Sequence, residues 1–241
     1  MMKKKIVAII PSRMGSSRLP GKPLIKINNL EIIEHVRRRA LLCNYFSEVY
    51  VATCDREIAK VVTNYNGKII MTSKDHIDCN ERIFEASKKI DATHIVNVQG
   101  DEVMVLPKNL DKISKTILKD NKSIYWNAVS NLDNKNELIN DTIVKCYIST
   151  NNNIIFCSRK EVSFKNLPSK SQIMKLLGLQ AFTKDALKIY KKNKISYLEK
   201  SFSIGQMRIL ENDFKLKSIK ISRGFRGIDK KRDISYAKYT F

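Results

Sequence analysis

Residues 5–10, KIVAII, are almost entirely apolar, and residues 11–23, PSRMGSSRLPGKP, follow them as a segment rich in glycine, serine and proline. A short apolar run bounded by turn residues is typical of a strand that is buried on both faces of a parallel sheet. Glycine and proline mark the segment after it as a loop. The sequence therefore predicts a buried first strand with a long polar loop at its carboxyl end.

Strands and helices alternate through the rest of the first half. The predicted strands cover 48–53, 68–71 and 94–98, and the predicted helices cover 31–46, a segment N-capped by Asp55, and 80–90. This alternation predicts an α/β fold with a doubly wound, mostly parallel sheet.

Three loops follow strands of this predicted sheet, at 11–23, 72–82 and 99–103. Open α/β sheets bind ligands at the carboxyl ends of their strands. We therefore expect the three loops to face one cleft.

The second half is less regular. Strands are predicted at 127–131, 143–150, 154–158, 178–182 and 214–221, and helices at 184–191 and 229–241. The strands around residues 151–153 are close enough in sequence to form a hairpin. This pattern predicts a small β-rich lobe, and no linker or repeat separates it from the first half, so we expect a single domain over 1–241.

The formal net charge is +21, from 45 lysines and arginines against 24 aspartates and glutamates. Such an excess is typical of nucleic-acid binders, of proteins at anionic membranes and of enzymes with polyanionic substrates, and it also arises by compositional drift. The lysines are spread along the chain, with no long basic arm and no aromatic-rich RNA-binding motif. Most of the charge is therefore predicted to be solvated surface.

The apolar runs and the cysteines argue against several classes of protein. The first apolar run is far shorter than the roughly 20 residues that a membrane helix needs, and polar residues interrupt it before a signal-peptide core develops. The five cysteines are odd in number and widely spaced, without a CxxC pair. That pattern disfavours a disulfide framework or a structural zinc site, so we expect a cytoplasmic protein with no stable membrane insertion.

The loop after the first strand carries the strongest functional signal. It combines backbone amides and serine hydroxyls with the cations Arg13, Arg18 and Lys22. Binding a triphosphate requires close approach of amides and neutralising cations. The loop matches neither the P-loop nor the GxGxxG dinucleotide turn, and a long basic surface loop is the alternative interpretation.

Two aspartates are candidate metal ligands. Asp101 follows the strand in HIVNVQGDE, residues 94–102, and Asp229 ends the tripeptide Gly-Ile-Asp before the last predicted helix. Mg²⁺ prefers one or two carboxylates together with phosphate oxygens and water. Each aspartate also fits a capping role in a turn, and their sequence separation leaves open whether they meet.

Several motifs occur together in a fixed order. They are IIPSRMGSSRLPGKPL at 9–24, VATCDREIAKVV at 51–62, MTSKDHIDCNERI at 71–83, IVNVQGDE at 95–102, DTIVK at 141–145, FCSR at 156–159, YLEKSFSIGQMRILEN at 197–212 and GID at 227–229. This series resembles the CMP-KDO synthetases, the 3-deoxy-manno-octulosonate cytidylyltransferases. The resemblance extends over nearly the whole chain, and the first-loop and QGD motifs together are highly specific.

The resemblance implies a nucleotide-diphospho-sugar-transferase-like fold and a transfer of CMP from CTP to a sugar acid such as 3-deoxy-D-manno-octulosonate (KDO), with release of pyrophosphate, for surface polysaccharide or lipopolysaccharide synthesis. It implies a nucleotide-binding part over about 1–130, a sugar-binding and dimerisation part over about 131–225, and a homodimer. CTP, an acidic sugar and Mg²⁺ are the implied ligands, with no nucleic acid.

By the same resemblance, each role falls on particular residues of this chain. The implied nucleotide-binding residues are Pro11, Arg13, Ser16, Arg18, Lys22, Thr72, Ser73 and Gln99. Catalysis is assigned to Lys22, Asp101 and Asp229, and Mg²⁺ to the two aspartates. The sugar-binding residues would be Arg82, Arg159, Gln180 and Gln206.

The chain departs from the family pattern where the sugar is expected. Leu176 and Gln180 stand where the family usually has a histidine and a tyrosine, and Phe202 and Gly205 replace two acids. These changes favour an acceptor that differs from KDO in its hydroxyls. Cytidylyl transfer to another acidic or polyol acceptor is therefore one alternative, and a non-catalytic nucleotide-binding or basic nucleic-acid-binding protein is another.

Overall fold

A computed structural model of the chain describes residues 3–15, 19–160, 172–222, 227–228 and 230–240. The chain divides into two compact units. The first comprises Met1–Leu118 and Phe225–Phe241, and the second comprises Lys119–Gly224. The second unit is thus inserted between two segments of the first.

The first unit contains a parallel sheet and the helices that connect its strands. The strands of this sheet are β1 (Ile6–Ser12), β4 (Glu48–Thr53), β5 (Lys68–Met71) and β6 (His94–Val98), and β2 (Lys26–Ile27) and β3 (Leu30–Glu31) form a separate antiparallel pair. Its helices are α1 (Ile32–Leu41), α2 (Arg56–Asn64), α3 (Cys79–Ser87), α4 (Pro107–Lys119), which ends one residue into the second unit, and α9 (Lys231–Thr240).

Strand β1 lies between β4 and β6 in this sheet. The order is β5-β4-β1-β6, and β1 pairs in parallel with both neighbours. All seven residues of β1 are buried, which explains why its sequence is a continuous apolar run rather than an alternating one. The strand order reverses between β1 and β6, and a crevice for a ligand forms at such a switch point. The α/β fold with a doubly wound sheet is confirmed.

Two local expectations were wrong in the first unit. The helix expected over 31–46 ends at Leu41. Asp55 precedes α2 as expected, but its side chain does not cap the helix. Its carboxylate instead accepts a hydrogen bond of 2.8 Å from the backbone N–H of Met14, so Asp55 holds the start of the loop after β1.

The second unit is built mostly from antiparallel strands. They are β7 (Tyr125–Ser130), β8 (Lys145–Ile148), β9 (Asn153–Ser158), β10 (Ile173–Thr183) and β11 (Leu216–Lys220). The order is β10-β7-β11-β9-β8, and β8 also pairs with β10, so the five strands close on themselves. The helices of this unit are α5 (Asn136–Ile139), α6 (Lys184–Lys192), α7 (Tyr197–Phe202) and α8 (Gln206–Leu210).

The β-rich lobe and its hairpin are confirmed by β8 and β9, which are antiparallel neighbours. Strand β10 begins five residues before the predicted start at 178 and contains a bulge between Leu176 and Gln180. The two ends of the bulge, Leu176 and Gln180, are two of the four positions at which the sequence analysis finds a departure from the family pattern.

No helix within the described ranges is long and apolar enough to cross a membrane.

Candidate active site

A cavity of about 280 Å³ lies at the switch point of the first unit's sheet. The three loops after β1, β5 and β6 contribute to it, which confirms that they face one cleft. Its wall consists of Pro11, Ser12, Arg13, Gly15, Lys22, Pro23, His76, Asp78, Cys79, Arg82, Gln99, Gly100 and Asp101.

Lys22 and Asp101 form the polar centre of the cavity. Lys22 follows Gly21, whose φ of 69° lies in the left-handed region that glycine adopts without strain. The Nζ atom of Lys22 donates to Oδ2 of Asp101 at 2.6 Å and to the backbone carbonyl of Ile228 at 2.8 Å. The two side chains are 14% and 28% exposed, so a ligand in the cavity can reach both charges.

The backbone of residues 227–228 lies directly against Asp101. The N–H of Ile228 donates to the carbonyl of Asp101 at 3.1 Å. An added Cβ at Gly227 would lie 3.2 Å from Oδ1 of Asp101, which is tighter than an ordinary contact. Glycine at this position therefore lets the C-terminal segment approach the carboxylate closely.

Arg82 lines the same cavity from helix α3. Its side chain is almost fully buried, and Nη1 donates to Oγ1 of Thr72 at 2.5 Å and to the carbonyl of Ser73 at 3.2 Å. Thr72 and Ser73 do not line the cavity themselves, and the Ser73 hydroxyl bonds to Asp75. Arg82, predicted for the sugar, thus shares a cavity with residues predicted for the nucleotide.

Gln99 reaches the cavity from the end of β6 and is held by Cys79. Its Nε2 atom donates to the Cys79 sulfur at 3.2 Å. Burial raises the pKa of the Cys79 thiol, so the sulfur is a neutral thiol at physiological pH. A protonated thiol is a poor nucleophile, and the structure therefore gives Cys79 a role in orienting Gln99 rather than in covalent chemistry.

His76 and Asp78 also line the cavity, and neither was singled out from the sequence. The Nε2 atom of His76 lies 2.5 Å from Oε2 of Glu85, and Asp78 caps α3 by accepting from the N–H of Glu81. The sequence did place both residues in the loop 72–82, which was expected to face the cleft, and this position could have identified them.

Three predicted site residues, Ser16, Arg18 and Asp229, lie outside the residues that the structure describes. Pro11 and Arg13 line the cavity as expected. The cavity therefore brings together Pro11, Arg13, Lys22, Arg82, Gln99 and Asp101.

The remaining predicted sugar-binding residues belong to the second unit. Arg159 donates to the backbone carbonyls of Phe202, Ser203, Asp141 and Thr142 at 3.3–3.5 Å. Gln180 lies opposite Asn127 in the β10–β7 register, and Gln206 Nε2 donates to Asn127 Oδ1 at 2.9 Å. Asn127 is thus the strand partner of Gln180 and the hydrogen-bond partner of Gln206, and sugar binding by these residues stays a prediction.

The donor set in the cavity suits a hard cation that is shared with a ligand. No group of three or more histidine, cysteine or acidic side chains within the described ranges is able to hold a metal ion by itself. Asp101 offers carboxylate oxygens beside cations that attract phosphate. One or two carboxylates with phosphate oxygens and water match the coordination of Mg²⁺, so the residues present fit that ion.

A doubly wound sheet whose switch-point cavity combines cations with an accessible carboxylate defines a nucleotide-binding α/β protein. The sequence profile described as cytidylyltransferase matches residues 7–221. The chain belongs to the family of the 3-deoxy-manno-octulosonate cytidylyltransferases. This membership confirms the resemblance of its motifs to that family.

Two relatives and one solved structure show how far this similarity extends. The 3-deoxy-manno-octulosonate cytidylyltransferase of Chlorobium limicola is 34% identical over 236 residues, which cover 96% of this chain and 95% of the relative. The Escherichia coli protein of the same name is 30% identical over 225 residues, or 93% and 91%. The structure of CMP:2-keto-3-deoxy-manno-octonic acid synthetase complexed with CTP matches with a TM-score of 0.92 at 29% identity, over 98% of both chains.

Proposed function

We propose that the protein transfers CMP from CTP to KDO and releases pyrophosphate. In this reaction the anomeric hydroxyl oxygen of the sugar bonds to the α-phosphorus, the bond from that phosphorus to the bridging oxygen breaks, and the hydroxyl proton passes to solvent. The observation that carries the proposal is the Lys22–Asp101 pair in an open cavity at the switch point of the sheet. Family membership supports the same reaction.

The cations of the cavity bind the triphosphate in this proposal. Arg13 and Lys22 neutralise the phosphate oxygens, since phosphoryl transfer depends on positioning and charge neutralisation more than on a protein nucleophile. On one side of the Lys22 ammonium, Asp101 and the Ile228 carbonyl accept the hydrogen bonds that water would otherwise accept. Ser16 and Arg18 complete the nucleotide-binding loop by their positions in its motif.

Asp101 and Asp229 hold a divalent cation, which we propose to be Mg²⁺. Asp229 follows Ile228 directly in the chain, and the backbone of Ile228 is hydrogen-bonded to Asp101. When bound, the ion lowers the pKa of the attacking hydroxyl and neutralises charge that develops on the phosphate. Lys22 keeps the Asp101 carboxylate oriented by its hydrogen bond.

The sugar acid is recognised through its carboxylate and hydroxyls. Arg82 provides a guanidinium, which matches a carboxylate in bidentate geometry, inside the cavity. We retain Arg159, Gln180 and Gln206 as sugar-binding residues. A homodimer formed through residues 131–225 and a cytoplasmic location complete the proposal, and binding of nucleic acid is not part of it.

Another acidic or polyol acceptor is the second candidate, and the structure of the second unit favours it at one point. The Phe202 ring packs edge-on against the Phe156 ring, with centroids 5.9 Å apart, at a position where the family usually carries an acid. An aromatic ring has no oxygen with which to accept a hydrogen bond from a sugar hydroxyl, whereas a carboxylate has two.

A pyrophosphate-release assay tests both candidates. CTP, UTP, ATP and GTP are each supplied with Mg²⁺ and with KDO, other sugar acids or sugar alcohols. We expect CTP with KDO to be the preferred pair. Release with CTP and another acceptor but not with KDO would select the second candidate, and no release with any pair would contradict the proposed function.

A further inference from the structure

Ser12, the last residue of β1, has a buried hydroxyl without a partner. The residue is 7% exposed, and its Oγ atom forms no hydrogen bond with any residue that the structure describes. Folding removes such a hydroxyl from water without replacing its bonds, so an unpaired one is rare and requires an explanation.

The position of Ser12 in the fold supplies that explanation. Ser12 lines the cavity together with Lys22, Gln99 and Asp101. Its backbone is fixed on one side by pairing opposite Thr53 in β4, and a Cβ at Gly100 would lie 3.6 Å from the Ser12 Cβ. The Ser12 side chain is therefore held at the cavity wall, and rotation about its Cα–Cβ bond turns the buried hydroxyl toward the cavity.

Three other polar side chains of the wall have bonds within the protein. Lys22 is bonded to Asp101, Arg82 to Thr72, and Gln99 to Cys79. Ser12 is neutral, whereas the cations of the cavity match the charged phosphates of a nucleotide. A neutral hydroxyl matches the uncharged donors and acceptors of ribose and cytosine.

We infer that the Ser12 hydroxyl hydrogen-bonds to the nucleoside half of CTP, which makes Ser12 a further substrate-binding residue. The inference rests on the proposed function, since it takes CTP as the ligand of this cavity. Binding of the nucleotide supplies the partner that the hydroxyl lacks in the free protein.

The Ser12→Ala variant tests this inference by three measurements with different expected results. The dissociation constant for CTP, measured by titration calorimetry, rises about 10-fold because one hydrogen bond to the ligand is lost. The inhibition constant for pyrophosphate stays unchanged because the phosphates are bound by the cations. The Tm of the free protein is equal to or above that of the wild type, since the variant removes an unpaired buried hydroxyl.

Ser87→Ala is the matched control. Ser87 in α3 is 1% exposed, and its hydroxyl donates to the carbonyl of Phe84 at 2.7 Å. This variant lowers the Tm and leaves CTP binding unchanged, because it breaks a bond inside the protein.

Three outcomes would overturn the inference. Wild-type CTP affinity in Ser12→Ala shows that the hydroxyl does not contact the nucleotide. Equal weakening of CTP and pyrophosphate binding moves the contact to the phosphates. Absence of CTP binding in the wild-type protein removes the proposed function and this inference together.

Discussion

Lys22 of the first unit and two buried lysines of the second unit differ in what surrounds their charges. In the first unit, Lys22 and Asp101 face a cavity and remain partly exposed. In the second unit, the fully buried Lys145 donates to the backbone carbonyls of Asn140 and Arg159. Lys175, also in the second unit, is bonded to Asp133 and Glu137.

This difference teaches that the surface which a paired cation leaves open to a ligand, rather than its charge, identifies a binding site. A buried ion must be paired or hydrogen-bonded because its desolvation is costly. The second unit meets that requirement with its own carbonyls and carboxylates, as in the Arg208–Glu199 pair. Lys22 has such partners too, but its remaining surface is open to a ligand.

The variant with the largest expected effect on this comparison is Asp101→Asn in the first unit. We expect kcat/KM for pyrophosphate release to fall by about 10³-fold, equivalent to about 4 kcal/mol, because the variant keeps the shape of the side chain and removes the charge that we propose to hold the metal. The Tm should change little, since the asparagine keeps an oxygen that accepts from Lys22, and Lys22 keeps its bond to the Ile228 carbonyl.

Asp185→Asn is the control for the loss of one negative charge. Asp185 belongs to α6 of the second unit, is 82% exposed and pairs with Lys188. Its activity should equal that of the wild type. Full activity of Asp101→Asn would contradict the assignment of the chemistry to the first unit's cavity.

Arg208→Met probes the second unit and should act on stability. The Arg208 guanidinium donates to both carboxylate oxygens of Glu199 at 2.7 Å and lies 4.2 Å from the centre of the Tyr190 ring. Removing one partner of a buried ion pair leaves the other uncompensated, so the free energy of unfolding in urea should fall by about 3 kcal/mol.

The exposed pair Lys188–Asp185 supplies the matched control for Arg208. Lys188→Met should change the free energy of unfolding by less than about 0.5 kcal/mol, because exposed ion pairs contribute little. If Arg208→Met abolished activity without lowering stability, the second unit would contain reacting chemistry and the comparison would fail.

The smallest expected effect is a difference in acid sensitivity between the units. Burial, aided by Lys4, lowers the pKa of His94 in β6 to about 4 from 6.5. Unfolded His94 therefore binds a proton in this range that folded His94 does not, so stability falls by about 2 kcal/mol as the pH drops from 6.5 to 4. His94→Asn should remove that slope in urea unfolding curves.

Asp120 in the second unit should affect stability at a lower pH than His94 does. Burial alone would raise its pKa, but hydrogen bonds from Ser123, Lys122 and the Trp126 indole outweigh burial and lower the pKa to about 2. The stability that these bonds provide is present above pH 3.8 and is lost as the pH falls to 2. In Asp120→Asn, the free energy of unfolding should no longer fall between pH 3.8 and 2, and its fall between pH 6.5 and 4, which we assign to His94, should be unchanged.

The sequence predicted the first unit's sheet well because its central strands β1 and β6 are buried on both faces. A continuous apolar run such as β1 has no competing interpretation as an amphipathic helix. The same signal placed Lys22 and Asp101 at one cleft, because parallel strands present their carboxyl ends at a common edge.

Other features depended on contacts that the sequence does not display. Helix α4 was not predicted, although Leu110, Ile113 and Ile117 have helical spacing and are fully buried or nearly so. The side chain of Asp55 bonds to Met14 rather than to its own helix, a choice decided by the loop that packs against it. Ser12 was visible in the loop motif, but its missing partner became apparent only from burial.

The bond from Lys22 to the Ile228 carbonyl joins residues 206 positions apart. During synthesis at about 5–20 residues per second, roughly 10–40 s pass between the emergence of the two. In that interval the inserted second unit is made, while the first unit lacks a segment of its own. The nascent protein therefore acquires the bonds of Ile228 to Lys22 and Asp101 only when the last part of the chain folds back, and a ribosome that stalls within the second unit leaves these two residues of the cavity without them.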